Sequence, residues 1–551
     1  MKKIYLKDFG ILPDTGLDIT GKFQEALLAA QDSNMPCELI FEQGTYDVYC
    51  QELIPLDIHI SNTNSELEMN SITRNCFMLV KDASNITING QGSLIKCHGK
   101  MTTIAITHSK NISLKNLSID YVHPVVTEMT VVALGDTYLD CEVAKDSQYR
   151  IADGKIQWYG ENFAFSNGIC QIFDHDTGYT WRMYGPVQDE NARWEELSEN
   201  KIRVYWSDKA SNNPYKVAVG HTLQMRNPLR DEVGILIDQS ENITFDSVTM
   251  HYMNGLGLIA QNTKNIYLDK FSSYPSEGRT CACFADFMHF SGCRGDITIE
   301  NGTFIGAQDD AINVHGTHLK IEEIDRGTNR VRLRFMHSQT KGIGGFEVGD
   351  IVVATDVETL LYGEEAKVVT VQELTPRDLL LTLNKLPENI QVGMVIENVS
   401  ASANLAVRNN HFERIPTRGI LVTTRGKVRI SNNTFTRLMR SAVLVANDAA
   451  SWYESGPVED ILIENNRFHH CTAQFLLVKP ENTSVVEGKY VHKNIRAVNN
   501  DICLDSEFHE VLTAQNCDTL IFENNKIKAN GMTPIYRTEY CNHVVIKNEE
   551  Y

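Results

Sequence analysis

"SNITINGQG" at residues 84–92 and "KNISLKNLS" at residues 110–118 are two copies of one phrase, 26 residues apart. Each is a short run of alternating apolar and polar residues that ends in asparagine or glycine. The phrase returns as "ENITFDSVT" from Glu241, "KNIYLDKFS" from Lys264 and "GDITIENGTF" from Gly295. It returns again as "GKVRISNNTF" from Gly426, "VEDILIENNRF" from Val458 and "CDTLIFENNKI" from Cys517. Strands this short cannot bury both faces alone. One strand–turn unit repeated every ~20–30 residues is the mark of a solenoid. The strands are β-branched and no amphipathic helix separates them. That favours a parallel β-helix over leucine-rich or helical repeats, with a β-sandwich as the competing arrangement.

Working outward from the repeats, the chain divides into five parts. Residues 1–121 are expected to hold an N-terminal cap and the first coils. In "DFGILPDTGLDITGKFQEALLAA", Phe23, Ala26, Leu27 and Ala30 share one helical face, and a helix here would cover the open end of the sheet. The phrase is then lost over 122–213, regained over 214–318, lost again over 319–397, and present over 398–551. Both gaps are rich in alternating strands and both close alike, in "VGHTLQMRN" from Val219 and "VGMVIENVS" from Val392. They read as two small β-barrels inserted into the coils. Inserts on a solenoid commonly wall a binding face. The first gap holds Trp158, Trp181, Trp194 and Trp206, which are either barrel core or sugar-stacking rings at a rim.

Composition narrows the function. The 551 residues carry 42% hydrophobic residues and a net charge of −20, enough apolar content for a large core. A net-acidic chain without a basic patch is a poor nucleic-acid binder and a poor ligand for anionic membranes. No stretch is long enough to span a bilayer. The start, "MKKIYLKDFG", has two lysines but no apolar run of signal-peptide length. The expected compartment is the cytoplasm, or the periplasm or exterior if a leader has been removed. The 13 scattered cysteines suit buried thiols, and Cys281 and Cys283 lack a second pair that would complete a metal site. A neutral sugar fits this surface better than a polyanion.

"GAQDDAINVHGT" at 306–317 places Asp309 and Asp310 side by side among small and apolar residues. "CACFADFMHFSG" sets a third carboxylate, Asp286, among phenylalanines. A charge in that setting needs a partner or a purpose. Asp286 and Asp310 are 24 residues apart, about one coil, so they are expected to stack. Three converging carboxylates suit inverting glycoside hydrolysis, with one acid on the leaving oxygen and a carboxylate on the attacking water. Repulsion within the group would keep one of them protonated near neutrality. The rival reading is a bound cation, although the flanking Ala311, Ile312 and Val314 offer no side-chain oxygen. His289 and His315 lie close by in sequence, and Arg418 and Arg425 flank a strand beyond the second gap. With Arg226 they are the candidate substrate-binding residues. Arg230 is comparable.

At these residues the chain resembles known proteins. The N-terminal segment is similar to the cap of pectinase-like right-handed β-helix proteins. The trio Asp286, Asp309 and Asp310 is similar to the catalytic triplet of the polygalacturonases. A closer resemblance is to glycoside hydrolase family 110, through "VGHTLQMRNPLRDEVGI", "ADFMHFSGCRGDITIENGTFIGAQDDAINVHGTHL", "FMHSQTKGIGGFEVGD" and "TRGILVTTRGKVRISNNTF". That resemblance implies a right-handed parallel β-helix with two inserted barrels. It implies an exo-acting, inverting α-1,3-galactosidase on galactose-terminated glycans, including the blood group B antigen. In it Asp286 and Asp310 hold the water and Asp309 is the acid, and neither metal nor cofactor is needed. An inverting polygalacturonase-like hydrolase is the alternative on the same fold.

Overall fold

The computed structural model describes residues 1–551 except 34, 64, 70, 184–191, 206–215, 505–509, 529–530 and 551. The recurring phrase builds a single parallel β-helix. Its first apolar residue lands at one position in every coil. Ile86, Ile112, Ile243, Ile266, Ile297, Leu405, Val428, Ile461, Ile495, Leu520 and Val544 are paired in register from coil to coil. All but the last of these, Val544, are buried. Each strand therefore turns one face inward, and the coils above and below supply the rest of the core.

The asparagines of the phrase have two separate jobs. Asn85, Asn111, Asn242 and Asn265 take left-handed backbone angles, φ 56–60°, which asparagine tolerates better than most residues. Their amides chain together at 2.9 Å per step along the outside. In the later coils the Asn-Asn turns divide the work. The first residue (Asn432, Asn465, Asn499, Asn524) turns the backbone. The second (Asn433, Asn466, Asn500, Asn525) is buried and hydrogen-bonds the next asparagine of the ladder. The ladder satisfies polar groups that a bare coil corner would bury unpaired. Inside, Phe304, Phe412 and Phe435 stack with centroids 5.3 and 5.1 Å apart.

The helix Thr20–Gln31 closes the N-terminal end and buries Phe23, Ala26, Leu27 and Ala30. The first gap forms an antiparallel seven-stranded sheet with a three-stranded sheet beside it. The second forms a closed six-stranded barrel. Trp158 and Trp194 are core residues of the first insertion, and Trp181 packs edge-on against His221. They are not rim platforms. Trp206 lies outside the described residues. All 13 cysteines are free. No helix among the described residues is long and apolar enough to cross a membrane.

Candidate active site

Sheet register builds the site. Met288 pairs with Ile312 and Ile312 with Ile420. The same offsets put Asp286, Asp310 and Arg418 at one position of three successive coils. The contacts follow directly. The Asp310 backbone N–H donates to Asp286 Oδ1 at 3.2 Å. The Arg418 guanidinium donates to both oxygens of Asp310 at 2.6–2.9 Å, and the Arg418 backbone N–H adds a further bond at 2.9 Å. Asp309, one residue earlier, turns to Arg182 at 3.1 Å and Arg230 at 3.7 Å. One oxygen from each of the three aspartates lies within 4.8 Å of the others.

These carboxyls open into a pocket of about 480 Å³ lined by Asn62, Arg230, His289, Arg418, Trp452 and Glu454, among others. Burial and the neighbouring charge of Asp309 push Asp286 up to about 7. Burial also raises Asp310, to about 6, against the pull of Arg418. At Asp309 burial is outweighed by Arg182, Arg230, Arg418 and Arg226, and its carboxyl is held below the usual range. One residue of spacing thus separates a carboxylate held low by guanidinium groups from a pair of carboxyls that burial pushes up.

The other sequence candidates are placed unevenly. His289 lines the pocket, with Nδ1 2.9 Å from Asp286 Oδ2. His315 stands behind it, Nε2 to Nε2 at 2.8 Å. Arg418 is at the centre. Arg226 is fully buried behind the pocket, where it donates to Gln308 at 2.7 Å and lies over the Phe284 ring. It supports the Gln308–Asp309 turn and does not line the cavity. Arg425 is placed elsewhere. It forks onto Glu397 at 2.7 Å, reaches Glu459, and lies over Tyr362. Seven residues of extended chain separate it from Arg418, roughly 20 Å, so one strand cannot deliver both to one pocket.

Several lining or contacting residues were not read from the sequence, four of them polar or aromatic groups drawn from distant segments. Arg182 comes from Thr180–Met183 of the first insertion, Asn62 from the loop after the N-terminal coil, and Trp452 and Glu454 from a loop far downstream. Trp452, 42% exposed and stacked on His337 at 4.1 Å, is the aromatic platform of the pocket. The only signal for it was that it stood apart from the other four tryptophans.

The acid–base separation expected for a water held directly between two carboxylates, about 6.5–9.5 Å, is not what the closest oxygens show.

Comparison with known proteins follows the same architecture. Domain-family profiles match GLAA-B beta-barrel domain I over residues 127–220, GLAA-B beta-barrel domain II over 330–396 and a right handed beta helix region over 392–508. The chain is 37% identical to the alpha-1,3-galactosidase A of Bacteroides thetaiotaomicron, over 98% of this chain and 95% of that one. It is 34% identical to alpha-1,3-galactosidase A of Bacteroides fragilis, over 95% and 87%. It is 30% identical to alpha-1,3-galactosidase B of B. thetaiotaomicron, over 100% and 91%.

Proposed function

The chain belongs to glycoside hydrolase family 110, and on that premise we propose that its three-aspartate pocket removes terminal α-1,3-linked galactose from glycans with inversion of the anomeric carbon. The observation that carries the reading is the convergence of Asp286, Asp309 and Asp310 within 4.8 Å on a chain aligned end to end with α-1,3-galactosidases. Asp309 is the general acid that protonates the departing oxygen. Asp286 and Asp310, joined by a hydrogen bond through the Asp310 backbone, hold and deprotonate the water. Trp452 offers a ring face to the sugar.

In the resting site Asp309 is ionised on Arg182 and Arg230. The acid role requires those guanidinium groups to turn to sugar hydroxyls when substrate binds, which releases their hold on Asp309 and lets it take a proton. The same pairing speaks against a uronic-acid substrate. The pocket arginines Arg182, Arg230 and Arg418 already face the site's own aspartates. Linear and blood group B-type α-1,3-galactosides are both candidates.

A panel of blood group B trisaccharide, α-1,3-galactobiose and the α-1,4 and α-1,6 isomers tests the substrate. Release is expected from one or both α-1,3 compounds, with β-galactose appearing first by proton NMR. Rapid cleavage of the α-1,6 isomer with both α-1,3 compounds untouched rejects the specificity. α-Galactose as first product rejects inversion.

A further inference from the structure

Behind Asp286 lies a buried line of polar atoms whose proton positions are constrained by chemistry. His315 Nδ1 lies 2.7 Å from the Gly316 carbonyl. A carbonyl only accepts, so Nδ1 carries the hydrogen. Neutral His315 then presents a bare Nε2 to His289 Nε2, 2.8 Å away. Two lone pairs cannot face each other at that distance, so His289 Nε2 carries a hydrogen and donates. The remaining His289 nitrogen, Nδ1, is 2.9 Å from Asp286 Oδ2. If His289 is neutral, that nitrogen is also bare and the hydrogen between them belongs to Asp286. If Asp286 is ionised, the hydrogen is on Nδ1 and His289 is an imidazolium. As long as His315 is neutral, a neutral His289 beside an ionised Asp286 is excluded in this geometry, because one of the two contacts would then set lone pair against lone pair.

The surroundings select between the two allowed forms. Asp286, His289 and His315 are 5%, 1% and 3% exposed, which disfavours charge on any of them. Asp309, Asp310 and Glu454 face the group with negative charge, and Arg230 and Arg418 with positive charge. The Cys283 thiol is taken up by the Asp286 carbonyl. Burial pushes Asp286 up to about 7 and His289 down to about 4. Both point to a neutral acid beside a neutral imidazole at rest. Glu454, held by Asn62 and Asn313 at 3.1 and 3.3 Å, lies 3.7 Å from His315 Nε2. It faces the far end of the line, where a positive charge would be compensated.

We propose that His289 and His315 are positioning residues that lock one proton onto Asp286 in the resting enzyme and take that proton up when Asp286 acts as base. The inference rests on Asp286 being part of the base. In the step, the Asp286 Oδ2–H bond breaks and His289 Nδ1–H forms. The charge then spreads as His289 Nε2–H passes its proton to His315 Nε2 beside Glu454. The ionised Asp286 takes a proton from the attacking water; as the site resets, that proton leaves to solvent and the stored proton returns by way of His289 to Asp286 Oδ2. No electrons are exchanged.

Two measurements test this. Imidazole ¹⁵N NMR on the free wild-type enzyme at pH 6–7 is expected to show His315 protonated on Nδ1 and His289 on Nε2, both neutral. A neutral His289 protonated on Nδ1 overturns the lock. This readout uses no substrate, so it stands or falls apart from the galactosidase assignment. The second is His315→Gln, whose amide can donate to His289 Nε2 and so lets an ionised Asp286 sit beside a neutral His289. Wild-type kcat/KM is expected to fall above pH 7 with one proton more in its log–log slope than the variant, a difference of about one unit. A uniform loss at every pH, in a variant that melts like wild type, assigns His315 a structural role and overturns the relay. Should the variant not fold, the NMR result decides alone.

Discussion

Asp309 and Asp310 are neighbours in the chain with opposite electrostatic fates, and the difference is written by residues far from both. Arg182 and Arg230 hold Asp309 ionised, while burial lifts Asp310 to about 6 in spite of Arg418. Replacing Asp309 by Asn is therefore expected to cut turnover of α-1,3-galactobiose at least ~100-fold, the usual scale for a positioned acid. An aryl α-galactoside with a good leaving group should lose less than ~10-fold, since its oxygen departs without a proton. Equal losses on both substrates would remove Asp309 from the acid role. Arg418→Met works in the other direction. Arg418 lowers the Asp310 carboxyl, so its loss raises that group further above 6. Asp310 then ionises only at higher pH, and the acidic limb of kcat/KM is expected to move up. A limb that moves down would show that Arg418 does not act through Asp310. A calcium ion at the trio would have to displace these guanidinium groups, so full activity is expected after exhaustive EDTA treatment. Loss of activity restored by calcium in a protein that stayed folded would revive the cation reading. The trio itself was legible, because the adjacent pair and the 24-residue spacing follow from one coil of chain. Arg182, Glu454 and Trp452 were not, because nothing local marks a side chain that reaches the pocket from an insertion or a distant loop.

At the scale of elements, the repeating phrase carried more information than its β-propensity. The alternation fixed which face is buried, and the asparagines fixed the corners, so coil register follows from the sequence almost residue by residue. The insertions were visible as losses of the phrase filled with alternating strands, and the sequence left their tryptophans open between barrel core and rim. Trp158 and Trp194 of the first insertion fill its core, since a small β-domain must bury its largest side chains somewhere. Arg425, seven residues from Arg418 in one strand segment, belongs to the junction with the second barrel. Its side chain is 9% exposed and its partner Glu397 is 2% exposed. Arg425→Met leaves that carboxylate buried without its main counter-charge, which typically costs about 3–5 kcal/mol. A clearly lower melting temperature is expected, with kcat/KM of the folded enzyme within about threefold of wild type. A large loss of kcat at unchanged melting temperature would return Arg425 to the substrate site.

For the whole molecule, the buried carboxyls set how stability depends on pH. Burial raises Glu128, Glu232 and Asp286 to about 7 and Asp238 and Asp310 to about 6. In the unfolded chain these groups ionise near 4.5 for Glu and 3.8 for Asp. Between about pH 4 and 7 the folded state therefore keeps protons that the unfolded state has lost. Stability rises with pH only where the unfolded state binds more protons, so across this window these groups make it fall. The net charge of −20 adds self-repulsion in the same direction. Ion-paired carboxylates oppose this at the acid end. Glu66, on Arg377 and Lys341, is lowered to about 2, and Asp350, on Arg294, is also lowered. Their stabilisation is present above the unfolded pKa and is lost as pH falls through the folded one. Melting temperature is thus expected to peak near pH 5 and to decline toward pH 8. Glu128 is the cleanest probe, because it lies outside the pocket and accepts the Thr280 and Cys281 N–H groups at 2.9–3.0 Å in the segment leading to Asp286. A glutamine carbonyl can accept both bonds without ionising. Glu128→Gln is expected to flatten the alkaline decline while leaving the acid side unchanged. Calorimetry from pH 4 to 9 at fixed ionic strength decides the matter: a melting temperature that climbs from pH 5 to 8, or a variant with the wild-type slope, would show that these carboxyls enter the folded state already ionised.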